Sequence, residues 1–219
     1  MNNSDLFKND AYLDLKGIIP KDMCNLVSQY ALLQELVTPR KEEAEGQVPF
    51  AHSGYGDLLM ETLMLFMKPH MEAHTGLELC PTYTYFRVYR PGMILERHTD
   101  RPSCEVSTTV CLGTNYTNVS QDFNWGMYVD NTYKHNTDDN GFISANNPGK
   151  MITQLPGDII VYRGCEIEHW REEFAAGEGS WQVQAFFHYI NKDGPYYPEF
   201  AYDKRPGIGF ELRHPAEKT

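Results

Sequence analysis

The chain has 219 residues, is 41% hydrophobic and 22% charged, and carries a formal net charge of -11 at pH 7. That length suits one domain with a substantial core, while the acidic balance disfavours nucleic acid and anionic membrane surfaces as partners. No run approaches the roughly 20 apolar residues of a membrane span, and residues 1 to 8 lack the basic and apolar regions of a secretory signal, so a cytoplasmic protein is expected.

Residues 11 to 20 alternate weakly and read as a strand leading into a turn. Residues 20 to 37 follow with apolar side chains at 23, 26, 27, 30, 33 and 36, which is helical spacing with a proline near its start. Residues 38 to 54 are charged and then bear Gly, Pro and Ser, and read as a loop. Residues 55 to 74 form a second amphipathic helix stopped by Gly76. His70 and His74 lie i, i+4 on it, but Met71 stands where a zincin would need glutamate, and a plain helix surface is expected. Cys24, Cys80, Cys104, Cys111 and Cys165 are odd in number, scattered and never in a C-x-x-C pair, which reads as reduced thiols.

From Cys80 onward the pattern turns to strands. Segments 82–90, 105–113, 122–130, 151–154, 157–163, 165–174 and 180–190 are short, rich in Val, Ile, Tyr, Phe and Trp, and bounded by turn residues. Seven or eight strands after two helices predict a mainly β fold: a double-stranded β-helix, or jelly roll, over 81–191. Residues 1–80 supply helical support and 192–219 a C-terminal wrap, all within one domain. Residues 131–150 read as a hairpin or lid.

The chemistry concentrates in Tyr83 to Asp100, an alternating strand, a Pro91-Gly92 turn and then His98-Thr99-Asp100. Residues i and i+2 of a strand share a face, so one imidazole and one carboxylate can reach a single point. The other such pair, His70-Met71-Glu72, lies on a helix, where i and i+2 diverge by about 200°. A second stretch, Leu155 to Arg171, turns at Pro156-Gly157, runs through the apolar strand Ile159 to Tyr162, turns again at Gly164 and delivers His169. Two histidines and one carboxylate with open positions form the facial triad of non-heme Fe(II) oxygenases. The metal ligands expected are His98, Asp100 and His169.

Taken together, Tyr89-Arg-Pro-Gly92, His98-Thr-Asp100, Ser107-Thr-Thr-Val-Cys-Leu112, Pro156-Gly-Asp-Ile-Ile-Val-Tyr162 and His169 resemble an Fe(II)/2-oxoglutarate-dependent dioxygenase of the prolyl-4-hydroxylase-like group, over about residues 83 to 190. The resemblance implies Fe(II), 2-oxoglutarate and O2, with ascorbate as a further candidate. It implies hydroxylation of a prolyl or other peptidyl side chain, or of a small amino-acid-like molecule, with release of succinate and CO2. Retaining Asp100, where related halogenases have a small residue, points to hydroxylation.

That group grips the far carboxylate of 2-oxoglutarate with a basic residue on the last barrel strand. Ser180 to Ile190 contains neither Lys nor Arg. Arg171, which shares strand parity with His169, is the first substitute, and Arg87, which shares parity with Tyr85 and Tyr89, is its rival. The resemblance places Tyr89 on the cosubstrate; Tyr162, Thr109 and Gln184 are further candidates. Arg101 and Trp170 flank the ligands. The alternative is a cupin-like module that binds a metal or small ligand without turnover.

Overall fold

Strand parity organises the fold. A computed structural model of the chain describes residues 2–38, 47–131, 137–138, 141–142 and 146–205. In chain order the elements are α1 (Asn3–Asp10), β1 (Tyr12–Leu15), α2 (Lys21–Val37), β2 (His52–Tyr55), α3 (Leu58–Thr75), β3 (Leu79–Tyr89), β4 (Leu95–His98) and β5 (Val106–Asn115). They continue with β6 (Met127–Asp130), β7 (Thr137–Asp138), β8 (Gly141–Phe142), β9 (Lys150–Ile152), β10 (Ile159–Tyr162), β11 (Glu168–Arg171) and β12 (Trp181–Asn191). Two antiparallel sheets result: six strands in the order β1-β10-β5-β12-β3-β2, and four in the order β4-β11-β6-β9. This is the expected jelly roll with helical support, built from open sheets; β7 and β8 form a separate small pair.

One face of the large sheet meets the helices. Val183, Ala185, Phe187 and Tyr189 of β12 join Ile159 and Val161 of β10 in a core with Met60, Met64, Met67 and Met71 of α3. The four methionines follow helical spacing on one face, each contributing about 1.5–3 kcal/mol by burial. The intervening positions turn inward: Ile160 and Tyr162 join Met127, Val129 and Ile152, while Phe186 joins Tyr89, Leu95, Trp125 and Phe174. Inside positions of β12 therefore read Gln182, Gln184, Phe186 and His188.

Several elements differ from the sequence expectation. α1 precedes the first strand, with Asn2 and Asp5 forming a reciprocal capping box. Part of the expected 38–54 loop is β2, an edge strand on β3. Helix α3 starts at Leu58 because the Asp57 carboxylate caps the amides of Leu59 and Met60, and it ends at Gly76 in the left-handed region, φ 73°. Strands expected over 122–130 and 165–174 shorten to β6 and β11. The expected lid, the remainder of the 38–54 loop and the end of the C-terminal wrap fall largely outside the described residues. Among the described residues, no helix is long and apolar enough to cross a membrane, and all five cysteines are free.

Candidate metal and cosubstrate site

The pairing of β4 with β11 places His98 and His169 directly opposite each other. Residues 71 positions apart in sequence thereby become cross-strand neighbours, with ring centroids 4.3 Å apart. β4 ends at His98, so Asp100 is not a strand residue as its spacing suggested. Its place is set from the other side: the Asp100 amide donates to the Gly164 carbonyl at 2.8 Å. Asp100 Oδ1 then lies 3.7 Å from His98 Nε2 and 3.5 Å from His169 Nε2.

Hydrogen bonds fix both imidazole tautomers. His98 Nδ1 is 2.7 Å from the Glu96 carbonyl and His169 Nδ1 is 3.2 Å from that of Ile167. A carbonyl can only accept, so each Nδ1 carries a proton and Nε2 is the nitrogen that each ring turns toward Asp100. Burial first, and then the His169 ring, pulls the His98 imidazole down to about 4. Burial pushes the Asp100 carboxyl up, but His169, His188 and His98 reverse this and hold it well below the usual carboxylate range. Two imidazoles facing an ionised carboxylate, their ligand atoms all within 4.8 Å of one another, suit a divalent transition metal. Asp100, Cys104 and His188 form an overlapping trio. Burial pushes the Cys104 thiol well above its ordinary range, and its sulfur is engaged by the Tyr83 hydroxyl at 3.1 Å. That trio is therefore a wall of the same site, not a second one.

The triad lines a cavity of about 440 Å³, whose other walls include Arg87, Tyr85, Met127, Tyr162 and Phe186. Tyr55, Tyr83, Arg101 and His188 also border it.

No family model and no curated protein matches the sequence. Solved structures do match the fold. The non-heme α-ketoglutarate-dependent epimerase SnoN from nogalamycin biosynthesis superposes with a TM-score of 0.67 at 12% identity, covering 94% of this chain and 89% of that one. EctD from S. alaskensis gives 0.65 at 14% identity over 93% and 83% of the two chains. A Pseudomonas putida prolyl-4-hydroxylase gives 0.53 at 17% identity over 84% and 96%. The fold is that of the non-heme Fe(II)/2-oxoglutarate oxygenases.

Within this fold the two arginines occupy different places. Arg87 lines the cavity, stacks over Tyr85 at 4.9 Å and Phe186 at 5.7 Å, and donates to Gln47 Oε1 at 2.7 Å and to the Tyr89 hydroxyl at 3.4 Å. Arg171 is fully buried and does not line that cavity. Its terminal nitrogens donate to the Trp125 carbonyl at 2.7 Å and Gln154 Oε1 at 2.8 Å, its guanidinium stacks on Trp125, and Nε has no partner. Burial lowers its pKa. Tyr162 borders the cavity with its ring 4.6 Å from His169, and burial pushes its phenol well up. Tyr89 sits just behind Arg87. Thr109 donates to Gln184 Oε1 at 3.1 Å, outside the cavity wall, which leaves Gln184 Nε2 unpartnered.

Arg101 borders the cavity and pairs with Asp203. Trp170 turns the other way, sandwiched between Arg97 and Tyr128. His74 of the rejected i, i+4 pair meets Asn3 Nδ2 at 2.7 Å. Sequence reasoning did not single out His188, Tyr83 or Ser107. The alternation Gln182, Gln184, Phe186, His188 was the available signal for His188.

Proposed function

We propose that this protein is an Fe(II)- and 2-oxoglutarate-dependent oxygenase that hydroxylates a C–H bond of a small molecule or peptidyl side chain. The observation carrying this reading is the convergence of His98, Asp100 and His169 on the floor of a cavity that also holds a wall cation, Arg87. Fe(II) and 2-oxoglutarate, when bound, supply the oxidising power by consuming O2 and releasing succinate and CO2.

The chain's own residues bind, orient and exclude water. The Nε2 lone pairs of His98 and His169 and one oxygen of Asp100 hold the metal. Arg87 attracts the far carboxylate of 2-oxoglutarate, its planar fork suited to a two-point contact with the Tyr89 hydroxyl alongside. Met127, Tyr162 and Phe186 give the cosubstrate a largely apolar bed. The part of the cavity lined by Tyr55, Tyr83 and His188 remains for the substrate.

SnoN is described as an epimerase, whereas the Pseudomonas putida relative is a prolyl-4-hydroxylase, so one fold serves more than one outcome. Hydroxylation is preferred because Asp100 completes the triad. A cytoplasmic location with reduced thiols and ascorbate as reductant would keep the iron ferrous.

The test is an anaerobic titration of metal-free protein with Fe(II) and then 2-oxoglutarate, followed in the visible region. A weak charge-transfer band that appears in wild type and is lost in His98→Ala is the expected result. Iron binding without the band would overturn the oxygenase reading in favour of a metal-binding module.

A further inference from the structure

We infer that Ser107 and His188 form a positioning relay that holds Asp100 to a single metal-facing oxygen. The inference rests on the metal-binding reading above. Asp100 has two oxygens with different surroundings. Oδ1 faces the two imidazoles. Oδ2 accepts a hydrogen bond from Ser107 Oγ at 2.7 Å, and Ser107 Oγ in turn lies 2.9 Å from His188 Nδ1.

Proton bookkeeping orders this chain. The ionised carboxylate can only accept, so the one Ser107 hydroxyl proton goes to Oδ2. The Cys104 carbonyl, 3.1 Å from the same hydroxyl, is the longer and uncharged alternative. With its proton committed, Ser107 meets His188 as an acceptor, and Nδ1 of His188 must donate. His188 is thereby fixed as the Nδ1–H tautomer and polarises the serine hydroxyl toward Asp100.

The geometry is enforced by packing. Ser107 is wholly buried on β5, and the β5–β12 register sets it directly across from His188. The His188 ring lies against Tyr83 with centroids 4.5 Å apart. On the opposite side Gly164 closes over the carboxylate; a Cβ there would stand 2.3 Å from Oδ2 and 2.8 Å from Ser107 Oγ. Asp100 therefore cannot roll to present Oδ2 without breaking the serine bond and meeting the Gly164 backbone. Partners of this kind are what orient metal ligands in general. One further consequence is that the remaining His188 nitrogen, Nε2, keeps a lone pair beside the cavity.

Anaerobic Co(II) titration of the full chain tests the relay, with affinity and the visible ligand-field spectrum both recorded. Ser107→Ala removes one oxygen atom. His188→Phe keeps the ring on Tyr83 but removes the donor, and His188→Asn keeps a donor near the Nδ1 position. The expected result is Co(II) affinity about 10–100-fold weaker in Ser107→Ala and His188→Phe, with an altered spectrum as the freed carboxylate reorients. His188→Asn should stay near wild type in both. Wild-type affinity and an unchanged spectrum in Ser107→Ala and His188→Phe, with only a lower melting temperature, would overturn the relay and leave the metal site standing. No Co(II) binding by wild type itself would overturn the metal site and the relay with it. Circular dichroism screens the variants for folding, and Ser107→Ala alone decides if His188→Phe does not fold.

Discussion

Arg87 and Arg171 flank the edge-to-face pair of Tyr89 and Trp125 from opposite sheets, and only Arg87 reaches the cavity. Arg87 donates to the Tyr89 hydroxyl, and Arg171 lies over the Trp125 ring, whose centroid is 4.8 Å from that of Tyr89. The first belongs to β3 of the large sheet and the second to β11 of the small one. A guanidinium enclosed by a carbonyl, a glutamine and a tryptophan face braces its surroundings, whereas one on the wall of a cavity can meet an anion.

The two arginines should therefore fail differently. Arg87→Ala should weaken 2-oxoglutarate binding about 10–100-fold, the worth of a hydrogen-bonded charge of roughly 1.5–3 kcal/mol. Arg171→Ala should leave that affinity near wild type but lower stability by roughly 2–5 kcal/mol, through a buried void and the loss of the donors to the Trp125 carbonyl and the Gln154 amide oxygen. Calorimetric titration with 2-oxoglutarate and chemical denaturation separate the two. The reverse pattern would return the cosubstrate to Arg171.

This pair also marks how far the sequence could be read. The jelly roll was legible because alternation of apolar and polar residues is local, and the His98, Asp100 and His169 set because turns and strand parity aim those side chains. Parity put Arg171 inward correctly. It could not tell that Trp125 and Gln154, from irregular segments remote in sequence, would enclose the guanidinium away from the cavity. Strand parity is only partly what aims Asp100, since the strand ends at His98 and the Gly164 carbonyl holds the residue. Ser107 looked like an ordinary strand serine until the β5–β12 register set it beside His188.

A side chain at Gly164 should displace Asp100. A Cβ there would also approach the Cys104 carbonyl, at 2.5 Å, so Asp100 is squeezed from a side where the backbone cannot yield. Gly164→Ala is expected to fold, with metal affinity lowered at least tenfold as Asp100 shifts. Equilibrium dialysis against Mn(II) measures this, and unchanged affinity would mean the backbone gives way there at little cost.

The metal-free protein should lose stability in mild acid. Burial holds His188, like His98, down to about 4. The groups acting on His188 are Asp100 and Asp203, which favour its charged form, and Arg101 and His169, which oppose it. The unfolded chain takes up protons near 6.5 and the folded chain does not until about 4. Stability contributed by neutral His188 is thus complete above about 6.5 and is lost as pH falls toward 4, by up to roughly 3 kcal/mol. His188→Asn should flatten the fall in melting temperature across that window. An unaltered profile would show that His188 gains no such protection from burial.

The last contact to test joins the C-terminal segment to the cavity rim. Tyr202, Asp203 and Lys204 all adopt positive φ, at 53°, 54° and 58°. Each such residue costs on the order of 1 kcal/mol without glycine. Asp203 offsets this by accepting from Arg101 at 2.7 and 2.9 Å, from Ser103 at 2.6 Å and from the Tyr55 hydroxyl. Burial works against the ionised carboxylate, but Arg101, Ser103 and Tyr55 together hold it down to about 2. Its contribution is therefore present above about pH 4 and lost as pH falls toward 2, and is worth about 1 kcal/mol after allowance for solvent screening. Asp203→Ala should release residues 201 to 205 from the rim, so that limited proteolysis cuts there before elsewhere. Metal and 2-oxoglutarate affinity should hold, because Asp203 touches neither the triad nor Arg87. If the variant resists proteolysis as wild type does, the segment is held by Arg205, which donates to the Thr82 carbonyl at 2.8 Å and pairs with Glu61 at 2.7 Å.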